Sequence, residues 1–325
     1  MGGRVDARET QEALFKFYKI PVGLYHPGDL IEEDLYFLYQ GNYLLYRLKN
    51  LSWKSEDRSK LEDFGVQDLY IKCSSDRSHH YFLETHLNRI LDEPDISIKD
   101  KANILYSTAV SVVKEVFDKP DQPENLRRSM ATVKHSIDYL SRDKEHFFEL
   151  MSLARSDFSE YTHAIHVSAY AITLAKQVGI KTFNHISALG IAAILHDIGK
   201  MKVDPKIVAK SGSLTNEERR EMEKHPQYSY ELVHRLGTIP ELSETIILQH
   251  HERPDGAGYP KGLVENEIHA LSKIISLCDC FDSMTSERSY QKSLTPLQAI
   301  ECLRTEYQNQ YDQNLIVEFI RMLKR

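Results

Sequence analysis

The sequence predicts an all-α helical bundle in its carboxyl-terminal half, preceded by a smaller mixed α/β amino-terminal domain and a helical connector. Strand-like, aromatic-rich runs are confined to the region from about 18 to 95. Apolar residues at helical spacing take over from about 105, and from about 150 onward each segment reads as helix joined by polar loops. The expected boundaries are 1–95, 96–150 and 151–325. A chain of 325 residues has room for two domains, because domain sizes peak at roughly 100–150 residues.

In the first region, LYFLY at 35–39 and YLLYRL at 43–48 flank Gln40-Gly41-Asn42, which suits a hairpin with a short glycine-containing loop. VQDLYI at 66–71 reads as a further strand, preceded by a short helix that stops at Gly65. The tyrosines suit either a ligand pocket or a half-buried sheet surface, where aromatic residues are favoured; no chemistry follows from them. In the connector, Leu105, Ala109, Val112, Val113 and Val116 mark one helix, and DKPDQPE at 118–124 interrupts it with two prolines. Leu126, Met130, Val133, Ile137 and Leu140 mark the next, at heptad spacing over only about two heptads. That is too short for a coiled coil, so the helix is expected to pack on its own domain. Signal transmission, or pairing of two subunits into a homodimer, is the alternative use. In the third region, 163–178 carries a broad apolar face and ends at Gly179, while ALGIAAIL at 188–195 is apolar all round and belongs in the domain centre. Thr215 with Glu218 forms a capping box, opening the helix expected to carry His225.

Composition narrows the function. With 41% hydrophobic and 27% charged residues the chain reads as globular rather than disordered. A formal charge of −7 argues against a nucleic acid polymer as partner, but leaves room for a small polyanion where bound cations reverse the local sign. The four cysteines form no C-x-x-C pair and no evident disulfide framework, which fits a reducing cytoplasm and leaves any metal to the histidines. No apolar run reaches the ~18–20 residues of a membrane span, and no signal-peptide core is seen at the amino terminus, so a cytoplasmic location is expected.

The polar exceptions within the bundle carry the chemistry. His196 and Asp197 of H-D-I-G-K directly follow the buried apolar run, a costly place for ionisable groups unless something pairs with them. His163 precedes them, His225 follows, and HHERPDGAGYP at 250–260 adds His250 and His251 before a glycine-rich loop holding Arg253, Asp255 and Tyr259. Asp279 lies in LCDCFDSM, on the next helix. Imidazoles and carboxylates are the mixed nitrogen/oxygen ligands of intermediate first-row metals. A single histidine such as His185, His234 or His269 carries no such meaning; the ordered set does.

This set resembles the HD-GYP family, cyclic di-GMP phosphodiesterases of the HD superfamily, over about 155–305. The resemblance implies a helical HD fold and a binuclear centre, with His163, His196, Asp197 and Asp279 on one ion and Asp197, His225, His250 and His251 on the other. Asp197 is then the bridging, catalytic carboxylate. His163 and His166 share a helix face and either could reach the ions; the family's spacing, sixteen residues before the helix-ending glycine, selects His163. Where some members place a glutamate for a third metal this chain has Ser159, with Glu160 one residue out of register, so two divalent ions are expected. Iron or manganese is implied, and zinc or nickel could occupy the same ligands. Lys200 is expected to act on the phosphate, with Arg288 of SERSYQK, Arg253 and Tyr259 as further substrate contacts. For Tyr259 a structural lid or partner surface is the alternative.

The function implied is hydrolysis of cyclic di-GMP to pGpG, GMP or both through a metal-bridging hydroxide, with cyclic GMP-AMP as the competing substrate. GGDEF-domain or other signalling proteins are implied as partners. A catalytically silent cyclic dinucleotide receptor is one alternative. Another HD-superfamily nucleotide phosphohydrolase is the second, though a one-metal site has no use for three further imidazoles.

Overall fold

The computed structural model describes residues 15–66, 68–153, 159–286 and 293–324. Two compact units divide between Thr108 and Ala109. In the first, strands β1 (Lys16–Pro21), β2 (Leu35–Tyr39), β3 (Asn42–Arg47) and β4 (Asp68–Cys73) form one antiparallel sheet of order β1-β4-β2-β3. The β2–β3 loop is tighter than the sequence suggested. Asn42 pairs with Tyr39, leaving Gln40 and Gly41 at φ 48° and 80°, the paired positive angles of a two-residue hairpin. Helix α1 (Ser55–Asp63) ends before Gly65 at φ 69°. The β4 ladder starts two residues later than expected, at Asp68, where its register against Pro21 begins. Helix α2 (Asp76–Asp92) covers the sheet. Ile20, Leu35, Trp53, Leu69, Ile71, Leu83 and Ile90 form the core between them. Tyr39, Tyr46 and Tyr70 help line a cavity of about 530 Å³ beneath α1.

Helix α3 (Ile98–Asp118) runs through the point of division. The second unit continues with α4 (Pro123–Leu140), α5 (Lys144–Ser152), α6 (Glu160–Gln177) and α7 (Phe183–Leu195). Leu126, Val133, Ile137 and Leu140 of α4 are buried, and α4 packs on α6 and α7 of its own unit. This is the packing expected of its heptad-like stripe. Helix α6 opens on a capping box between Ser159 and Thr162 and stops before Gly179 at φ 86°. From Ile186 to Leu195, α7 is buried almost throughout, as its all-round apolar sequence requires.

After α7 come a 3₁₀ turn (Ile198–Lys202), α8 (Pro205–Val208), α9 (Asn216–Met222), α10 (His225–Leu236), α11 (Glu241–Gln249), α12 (Ala270–Thr285), α13 (Pro296–Thr305) and α14 (Gln313–Leu323). One expectation is corrected here. The Thr215 capping box does open a helix, but that helix ends at Met222 and His225 starts a new one. Pro226 explains the break, because proline lacks an N–H and suits only a helix's first turn. Lys200 lies in the 3₁₀ turn. Among the described residues, no helix is long and apolar enough to cross a membrane.

Candidate metal centre

Five parts of the second unit aim side chains at one point. Helix α6 contributes His163, the end of α7 contributes His196 and Asp197, α10 contributes His225, the end of α11 contributes His250 and His251, and α12 contributes Asp279. All are buried except His251, which is half-buried. They fall into two groups. His163, His196 and Asp279 bring ligand atoms within 4.8 Å of one another, and so do Asp197, His225, His250 and His251. Asp197 faces both groups. Its Oδ2 lies 3.3 Å from His196 Nε2 and 3.7 Å from His163 Nε2, while its Oδ1 lies 3.2 Å from His225 Nε2. In the first group His163 Nε2 is 3.1 Å and His196 Nε2 4.0 Å from Asp279 Oδ1. Ligands about 2.0–2.2 Å from an ion stand some 3–3.6 Å apart, the scale of these separations.

Hydrogen bonding fixes which imidazole nitrogen faces inward. His196 Nδ1 meets the Ala193 carbonyl at 2.8 Å, His225 Nδ1 the Met222 carbonyl at 2.8 Å, and His250 Nδ1 the Ile247 carbonyl at 2.6 Å. A carbonyl only accepts, so each Nδ1 carries a hydrogen and each Nε2 is the nitrogen that faces the cluster. His225 Nε2 and His250 Nε2 then face each other at 3.2 Å. His196 Nε2 and Asp197 Oδ1 are buried and make no hydrogen bond. Only a cation or a shared proton reconciles such a cluster, and protonation is opposed at two of its members. Burial, then the imidazoles of His251, His196 and His225, hold His250 well below the usual histidine range. Burial and His225 push His251 down to about 3. The donor set therefore fits two divalent ions.

His163 behaves differently. Burial would lower it, but hydrogen bonds to Asp279 and Asp282 raise it to about 10. The Asp282 contact was not anticipated from the sequence. Asp282 Oδ2 accepts from His163 Nδ1 at 2.7 Å, and Oδ1 from His166 Nδ1 at 3.1 Å. His166 thus sits behind the cluster, against Asp282. The signal that could have found Asp282 is its place three residues after Asp279, on the same helix face.

The expected substrate contacts are placed unequally. Lys200 Nζ lies 2.6 Å from Asp197 Oδ2 and 3.2 Å from Glu160 Oε2. Burial would lower Lys200, but Asp197 and Glu160 hold it charged, well above the usual lysine range. The Tyr259 ring centroid is 4.7 Å from that of His251, and burial pushes its hydroxyl well above the usual tyrosine range. Arg253 Nη2 contacts Asp255 at 3.1 Å. Arg288 lies outside the described residues.

Buried Glu252 anchors the loop that carries Tyr259, accepting from the backbone N–H of Lys261 at 2.7 Å and of Leu263 at 2.8 Å. Glu252→Ala should cost about 1.5–3 kcal/mol, the range for hydrogen bonds to charged groups. It should also raise amide exchange at Lys261 and Leu263 above that of the α11 core. Unchanged protection of both amides would count against this anchor.

A family model described as "HD domain" matches residues 125–315. A cyclic di-GMP phosphodiesterase of Pseudomonas aeruginosa is 34% identical over 172 residues, covering 53% of this chain and 41% of that protein. A cyclic di-GMP phosphodiesterase response regulator of Xanthomonas campestris is 28% identical over 260 residues, covering 79% of this chain and 62% of the relative. A 3′3′-cGAMP-specific phosphodiesterase of Vibrio cholerae is 36% identical over 138 residues, or 42% of this chain and 30% of that one. The chain thus spans less than two thirds of each of these relatives. In fold it is similar to the solved HDG"Y"P protein of Bdellovibrio bacteriovorus, with a TM-score of 0.68 at 21% identity, covering 95% of this chain and all of that one. With the family model spanning more than half its length and the H-D and G-Y-P segments inside the match, the chain belongs to the HD domain family and carries the HD-GYP signature.

Proposed function

We propose that this chain is a metal-dependent phosphodiesterase that hydrolyses cyclic di-GMP to pGpG, GMP or both. The observation that carries the reading is Asp197, whose two oxygens face two separate ligand groups. The names of the relatives, all cyclic dinucleotide phosphodiesterases, supply the substrate class. Asp197 would bridge two ions, with His163, His196 and Asp279 on one side and His225, His250 and His251 on the other. Iron or manganese suits this mixed nitrogen/oxygen set. Bound there, two divalent ions would bring the pKa of a coordinated water toward neutrality and offset charge on the phosphoryl oxygens. Lys200, held charged beside Asp197, is no proton shuttle; its ammonium serves as an electrostatic partner for a phosphoryl oxygen. Tyr259 remains protonated and offers a hydroxyl donor and a ring face at the mouth. Arg253 and Arg288 are the further phosphate or guanine contacts, for which a guanidinium fork is suited.

The test is anaerobic purification with elemental analysis, followed by product identification from cyclic di-GMP and from 3′3′-cGAMP, with Asp197→Asn as control. Two ions per chain and turnover of cyclic di-GMP are expected. Binding without turnover would overturn the enzyme reading in favour of a receptor.

The metal affinity should depend on pH. With His163 raised to about 10 from its usual 6.5, an arriving cation must displace a proton. Affinity at the His163 group should therefore rise with pH up to about 10, by at most about tenfold per unit. In the metal-free protein the same proton stabilises the fold fully below about pH 6.5 and no longer does so once pH passes about 10. Calorimetry of Mn²⁺ binding in buffers of different ionisation enthalpy would read the released proton; affinity flat between pH 7 and 9 would refute it.

A further inference from the structure

The two ligand groups are not equivalent, and the difference traces to helix α12. Asp279 and Asp282 stand one turn apart on it and bracket a single imidazole. Asp279 Oδ1 lies 3.1 Å from His163 Nε2, and Asp282 Oδ2 lies 2.7 Å from His163 Nδ1. His196, His225 and His250 instead lean their Nδ1 atoms on neutral backbone carbonyls. Asp282 is 2% exposed, and both its oxygens are engaged, Oδ1 by His166 and Oδ2 by His163 and the Ser286 hydroxyl at 3.2 Å. Its carboxylate therefore cannot turn toward solvent.

Beyond the shared Asp197, the first group holds one carboxylate among its ligands and a second directly behind one of them. The second group holds three imidazoles and no carboxylate of its own. Asp279 Oδ2 approaches it only to 3.9 Å, at His251 Nδ1. The Lys200 ammonium lies on the first group's side of Asp197, but Glu160 at 3.2 Å offsets its charge. Hard divalent ions prefer carboxylate oxygen, and a carboxylate accepting from a ligating imidazole raises that ligand's basicity and fixes its orientation.

We infer that Asp282 is a positioning residue that makes the two ion pockets unequal, so that, with the proton displaced from His163 accounted for, the pocket of His163, His196 and Asp279 binds a divalent cation more tightly. This rests on the binuclear reading of the cluster and not on the identity of the substrate. The chain loads stepwise, and the balance between the two steps shifts toward the His163 pocket as pH rises.

Titration of the metal-free full chain with Mn²⁺ alone, read by calorimetry and by the spectrum of free Mn²⁺, tests this. With the proton displaced from His163 corrected for, the wild type should bind in two steps at least about tenfold apart. Asp282→Asn, nearly isosteric, should weaken the tighter step by about 10- to 100-fold, the usual effect of removing such a partner, and leave the weaker step in place. A contribution to folding alone would weaken both steps together. His225→Ala supplies an independent arm, because it should abolish the weaker step and spare the tighter one whether or not Asp282→Asn folds. Substituting Co²⁺, the visible spectrum of the first equivalent should match that of His225→Ala. Two equal steps in the wild type, equal weakening of both by Asp282→Asn, or loss of the tighter step in His225→Ala would overturn the inference. No bound metal at all would overturn the proposed function with it. Stepwise loading without hydrolysis of cyclic di-GMP would remove only the substrate reading.

Discussion

Asp197→Asn is expected to lower turnover of cyclic di-GMP by about three orders of magnitude, comparable to the loss of a principal transition-state charge contact, and to reduce metal content from two ions per chain toward one. The side chain offers one oxygen to each ligand group, at 3.3 Å from His196 Nε2 and 3.2 Å from His225 Nε2. An amide keeps the volume but replaces one of those anionic oxygens with a donor that cannot ligate. Asparagine is the informative choice over alanine. Lys200 Nζ sits 2.6 Å from Asp197 Oδ2 with a side chain only 18% exposed. Truncation would leave that ammonium to Glu160 alone, and breaking a buried pair costs about 3–5 kcal/mol. Elemental analysis and steady-state turnover on the same preparation decide the matter. Two retained ions with activity within tenfold of wild type would show that Asp197 does not bridge.

Gly199→Ala should be strongly damaging although Gly199 is no ligand. A Cβ there would lie 2.3 Å from the His225 carbonyl oxygen, 2.4 Å from the Ser229 backbone nitrogen and 2.7 Å from its hydroxyl. The first two are backbone of α10 and cannot swing aside. The hydroxyl is itself pinned, accepting from Gly199 N at 2.8 Å and donating to the His196 carbonyl at 2.6 Å. The methyl must therefore push α10 away from the 3₁₀ turn. Overpacking of this kind costs about 1–3 kcal/mol or more; about 3 kcal/mol corresponds to a Tm loss of about 6–12 °C in a domain of roughly this size. Because His225 rides on α10 and Asp197 opens the turn, the same displacement should release the ion of the imidazole group before that of the His163 group. Gly212→Ala, where a Cβ meets nothing within 4 Å, is the control and should leave both Tm and metal content unchanged.

The helical half was legible because its signals are local. The all-round apolar run before His196 places that residue at the end of a central helix, and Gly179 and the Thr215–Glu218 pair mark ends through backbone angles and caps that neighbouring residues decide. The break at His225 was equally local, written in Pro226, and was read past in favour of the upstream cap. In the amino-terminal unit, apolar-aromatic runs identified β2, β3 and β4 but neither β1 nor the exact strand ends, since the start of β4 at Asp68 is set by its pairing with Pro21 of β1.

By itself the sequence determined the helical character of the second unit, the order of the histidines and carboxylates, and the family whose pattern they follow, because helix periodicity, capping and motif spacing are properties of neighbours along the chain. Only the tertiary structure decided that Asp197 turns one oxygen to each ligand group, that Lys200 leans on Glu160, and that Asp282 holds His163 from behind. Those contacts join α6, the 3₁₀ turn and α12 across as many as 119 positions of sequence. Such distances between side chains arise from how the buried helices pack, and no local pattern encodes them.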